Sequence, residues 1–94
     1  PSLPNIPTSL EEGYKDSDYN FWNGMLAPAK TPRPIIDRLY AEVTKALALP
    51  DVQKKLAVQG VEPAPLTPTE MDAMIRREIA LNIKIAKAAG LKFN

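Results

Sequence analysis

Between Phe21 and Pro32 the chain reads Phe-Trp-Asn-Gly-Met-Leu-Ala-Pro-Ala-Lys-Thr-Pro. A short apolar run, aromatic at its start, leaves through an Ala-Pro turn and ends on a Thr-Pro pair that opens a helix. Phe21 to Ala27 reads as a buried strand, and a buried strand needs neighbours on both sides and both faces. Val61 to Leu66 is the one other strand candidate in the 94 residues, and Pro63 and Pro65 confine it to a sheet edge. Two short strands cannot satisfy each other in this way. A chain of this length also buries only roughly 60–65% of the surface it exposes when unfolded. The sequence therefore reads as an α/β piece of something larger, helix-rich with two short strands. A start at Pro1, with neither a signal peptide nor an initiator Met, gives the same expectation.

The side chains exclude much chemistry. Cysteine and histidine are both absent, which removes disulfides, thiolate or imidazole metal sites and most nucleophile–base pairs. Carboxylates, lysines, tyrosines and hydroxyls remain, and no pair of them is placed for acid–base work. An enzyme is the weakest reading; no cofactor and no metal is expected. Net charge is +1 with acids and bases interspersed, so there is no basic stripe and no case for nucleic acid. No apolar stretch approaches the ~20 residues that span a bilayer.

Local signals place the helices. Residues 1–7 carry three prolines and read as an extended connector. Thr8 and Glu11 fit a capping box, and Gly13 stops that short helix after little more than a turn. Thr31 as N-cap and Pro32 at N1 open a helix over about 31–48, with Ile35, Ile36, Leu39, Tyr40, Val43, Ala46 and Leu47 on one face. Pro50 ends it and starts a second helix over about 51–59, closed by Gly60. Thr67-Pro68-Thr69-Glu70 combines an N-cap, an N1 proline and a capping-box Glu. The helix it opens runs over about 67–89 and is closed by Gly90. Met71, Met74, Ile75, Ile79, Ile83 and Ala86 trace one face, and Leu81 and Ile85 widen it, so this helix expects cover from more than one side.

These pieces, in this order, resemble a known family. Leu3-Pro4, Ile6-Pro7-Thr8, Glu11, Gly13, Trp22 with Gly24, Leu26-Ala27-Pro28, Thr31-Pro32, Ile36, Leu39, Ala46-Leu47, Pro50, Val52, Leu56, Gly60, Thr67-Pro68, Glu70 and Lys87-Ala88-Ala89-Gly90 are similar to the C-terminal part of the extracytoplasmic solute receptors of tripartite tricarboxylate transporters. The resemblance covers the whole chain. It departs at Asn82, where the last helix of the family often carries an aromatic residue.

The resemblance implies a two-lobed periplasmic binding protein of the Venus-flytrap kind, roughly three times this length. Such a receptor captures a small organic anion (a dicarboxylate, tricarboxylate, acidic amino acid or aromatic acid) and hands it to membrane permease subunits. Residues 1–20 would be a connector and short helix from the second lobe. Residues 21–94 would be the lobe-crossing strand and the helices that pack on the first lobe.

Phe21 and Trp22 are the candidate ligand-binding residues, as a wall of the cleft, against the simpler reading that they pack at the lobe junction. Asp16 and Asp18 lack the glycine and distal glutamate of a calcium loop and read as solvated. Arg76 and Arg77 read as surface ion-pair partners of Glu78, Asp72 or Glu70. The rival reading is a small self-standing helical interaction module, a homodimer through the excess apolar face of the long helix.

Overall fold

Prolines sit at the start of every helix in this chain, where a missing backbone N–H leaves no bond unmade. The computed structural model describes residues 3–92. It places helix α1 at Arg33–Leu47, α2 at Pro50–Val58 and α3 at Pro68–Ala88, each with proline in its first two positions. α1 packs against both α2 and α3.

The helix ends follow the local chemistry closely. At α3 the Glu70 backbone N–H donates to Thr67 Oγ1 at 3.2 Å and the Thr67 N–H donates to Glu70 Oε2 at 2.8 Å. The same reciprocal pair joins Thr8 and Glu11, at 2.7 and 3.3 Å. Three glycines close three segments in one geometry. Gly13, Gly60 and Gly90 all have positive φ (90°, 71° and 69°). In each case the residue after the glycine donates its N–H back five positions: Tyr14 to Ser9, Val61 to Leu56, Leu91 to Ala86. The glycine itself donates back three, so all three are complete Schellman closures. At Gly13 the closure comes so soon after Thr8 that only a hydrogen-bonded turn remains, and the expected short helix does not form.

α1 differs from the expectation at its start. Thr31 does not cap it: the Thr31 hydroxyl donates to the Pro28 carbonyl at 2.7 Å, and Pro32 occupies the N-cap position with no side-chain cap. The Ala-Pro turn before the helix has taken the hydroxyl that would have capped it.

The capping box of α3 gives it a pH dependence. Glu70 has its pKa lowered, first by the bond from the Thr67 backbone and then by the Thr67 side chain. A depressed carboxylate pKa means the stabilisation is complete above the unfolded value, about 4.3, and fades as pH falls through the lower folded value. Backbone carbon shifts of Pro68–Met71 should therefore hold at neutral pH and move toward coil values below about pH 4. Thr67→Ala should give the frayed state at all pH, a loss of about 1 kcal/mol in the helix. Shifts that stay constant into strong acid would show that the box does not hold this turn.

Neither strand expected from the sequence forms among the described residues. Asn20 to Ala27 runs as unpaired chain, with no backbone hydrogen bond in the segment. A strand exists only through ladder bonds to a neighbour, and the segment 61–66 does not supply one. The architecture of the described residues is thus helical, without a sheet.

The helices enclose almost nothing. Ala86 is the one buried residue among those described. The radius of gyration is 16.9 Å and the extents are 41 × 40 × 21 Å, whereas a compact 94-residue domain has a radius near 12 Å. The accessible surface is 8620 Å², against about 5,400 Å² for a folded monomer of this mass. On α3 the half-buried side chains Met71, Met74, Ile75 and Glu78 fall in the N-terminal half. Ile79, Leu81, Ile83 and Ile85 remain 38–54% exposed. In the C-terminal half Ala86 alone is buried, and the large apolar side chains around it stay exposed. Among the described residues no helix is long and apolar enough to cross a membrane.

Candidate functional site

Successive side chains of an extended segment point to opposite sides, and this separates the two candidate residues Phe21 and Trp22. Trp22 turns toward α3, where its indole Nε1–H donates to Glu78 Oε2 at 2.8 Å. Phe21 turns away and is 96% exposed. Two residues on, Gly24 lies where an added Cβ would collide with the Met71 methyl and the Trp22 ring. A glycine inside an apolar run marks a close approach, and here the chain's own Met71 and Trp22 side chains make it.

Of the three carboxylates offered as ion-pair partners for Arg76 and Arg77, Asp72 takes Arg76 and Glu78 accepts from Trp22, a role that sequence reasoning missed. A signal for that role was present: Glu78 follows Met71 by seven, Met74 by four and Ile75 by three. That spacing puts a carboxylate on the apolar face of α3, where a donor with an apolar body, such as an indole, is its natural partner. Arg76 pairs with Asp72 at 2.8 Å, as expected. The bond and the nearby charge of Asp72, in that order, raise the Arg76 pKa. The ion pairs Arg33–Asp37, Arg38–Glu42 and Lys45–Glu42 are exposed and three or four residues apart on α1, so each adds only about 0.3–0.5 kcal/mol.

The turn at 14–18 lies along the other half of α3. Between them is an open groove of about 520 Å³ lined by Asp16, Asp18, Leu81, Lys84, Ile85 and Ala88. Asp18 accepts from Asn20 Nδ2 at 2.7 Å, and Ser17 bonds to Ser9 and to the Tyr14 carbonyl. Two carboxylates against one lysine make this rim a poor seat for an organic anion. No group of side chains suited to a metal ion occurs among the described residues.

The comparisons with known proteins agree with one another. The family described as "Tripartite tricarboxylate transporter family receptor" matches residues 1–91. The UPF0065 protein in the tcbD-tcbE intergenic region of Pseudomonas sp. (strain P51) is 37% identical over 79 residues, 83% of this chain and 24% of that protein. The UPF0065 protein in the TAR-I ttuE-ttuC' intergenic region of Agrobacterium vitis is 33% identical over 91 residues, 94% of this chain and 26% of that protein. The chain thus spans about a quarter of the length of these relatives. No solved structure matches it. A match over nearly every residue, with two relatives above 30% identity, means that this chain belongs to the tripartite tricarboxylate transporter family of receptors.

Proposed function

We propose that these residues work as part of a periplasmic solute receptor of the two-lobed binding-protein kind, one that captures a small organic anion and presents it to the permease subunits of a tripartite tricarboxylate transporter. The observation that carries this reading, beside the family membership, is the apolar surface of α3: Ile79, Leu81, Ile83 and Ile85 face solvent in the chain by itself. Exposed apolar side chains on one helix mark a surface built to be covered. The unpaired run from Asn20 to Ala27 fits the same picture, as a strand whose sheet neighbours belong to the rest of the receptor and which crosses between lobes. Residues before it would belong to the second lobe, and α1, α2 and α3 would pack on the first.

The function so proposed is binding without covalent chemistry. Ligand stabilises the closed arrangement of two lobes by contacts that the open one lacks. Di- and tricarboxylates, acidic amino acids and aromatic acids are the ligand classes. Phe21, presented outward, is the better candidate for the cleft wall, because Trp22 is already engaged on α3.

The test is a thermal-shift series on a full-length receptor carrying this sequence. A ligand at 100 times its Kd adds about 2.7 kcal/mol of stability, a rise of several degrees. One acid class should produce that rise. No rise with any of the acids would refute the reading. Self-association through the α3 face is the second reading; it rests on the same exposed side chains, and light scattering that returns a dimer of the 94-residue chain would favour it.

A further inference from the structure

Contacts along α3 give the path of the segment that precedes α1. Asp16 and Asp18 lie beside Leu81, Lys84, Ile85 and Ala88, Trp22 reaches Glu78, and Gly24 lies under Met71. As the segment advances, its partners move back along the helix, so the two run antiparallel.

Among the described residues no backbone hydrogen bond ties residues 20–27 to α3, and the one backbone bond within residues 16–24, Tyr19 N–H to the Ser17 carbonyl, is local. The segment's attachment midway along the helix is the Trp22 indole on the Glu78 carboxylate, with Gly24 allowing the close approach beyond it.

We propose that residues 16–24 are a strap on α3, pinned by the Trp22–Glu78 hydrogen bond, and that breaking this bond frees the strap and uncovers the half-buried Met71 side chain beneath it. The pin is a single polar contact on a half-buried carboxylate, so it can open without unwinding α3, whose own backbone bonds and capping box are independent of it. The strap is a conformational device of this chain and stands apart from the question of which solute the receptor takes.

The single tryptophan makes the test direct. Glu78→Ala removes the acceptor, whereas Glu78→Gln keeps a carbonyl oxygen in the same place. Glu78→Ala should shift the emission to the red and raise the acrylamide quenching constant about twofold or more, as expected for a 36% exposed ring set free in a local opening. Far-UV circular dichroism should not change, and Glu78→Gln should stay near wild type in every readout. Unchanged emission in Glu78→Ala would overturn the proposal. So would a red shift accompanied by lost helix signal, or an equal red shift in both variants.

Discussion

Ile83→Glu should leave the 94-residue chain as stable as before, within about 0.5 kcal/mol, and should destabilise a full-length receptor by about 3 kcal/mol or more. In the chain alone Ile83 is 43% exposed, and Glu is the better helix former. A glutamate at 83 would also stand four residues before Lys87, the favourable order for an ion pair on a helix. The substitution therefore removes little and adds a small gain. In the receptor proposed here the same face packs on the first lobe. The burial of an isoleucine, about 1.5–3 kcal/mol, is then lost, and a carboxylate must be buried or the interface opened. Helix content of the short chain by circular dichroism and urea unfolding of the receptor measure the two effects. A similar small effect in both would mean that nothing covers this face. A large loss in the short chain would mean that the chain covers it for itself.

What could be read from the residues divides by distance along the chain. The capping boxes at Thr8 and Thr67 and the closures at Gly13, Gly60 and Gly90 were legible because donor and acceptor lie within five residues of each other. The starts and stops of α2 and α3 therefore fell within one residue of expectation. Thr31 failed by the same logic: two acceptors competed for one hydroxyl, and the Pro28 carbonyl won.

Contacts across many residues were not legible. The Trp22–Glu78 bond joins positions 56 apart, and the sequence showed only that Trp22 is aromatic and that Glu78 interrupts an apolar face. Which of Phe21 and Trp22 meets α3 was equally out of reach: Trp22 bonds to Glu78 and Phe21 is exposed. The strand at Phe21–Ala27 was read from apolar content, which records what a segment expects to meet. Pairing needs the partner itself. The family was legible because it rests on the joint order of many weak signals, and the comparisons bear it out over residues 1–91.

The unfolding enthalpy of the 94-residue chain should fall far below that of a globular domain of the same length. Globular proteins absorb about 0.7 kcal/mol per residue near 60 °C, or about 65 kcal/mol for this length. That heat comes from close-packed interiors and from apolar surface removed from water. Here only Ala86 is buried among the described residues, so helix hydrogen bonds melt with little packing to lose. Melting of such helices is gradual, because local bonds open one turn at a time when no shared core couples them. Scanning calorimetry of the dilute, monomeric chain decides the matter. A broad transition with a small fraction of that enthalpy is the predicted result. A single sharp peak near the globular value would contradict the claim that the apolar faces of these helices await a surface outside the chain.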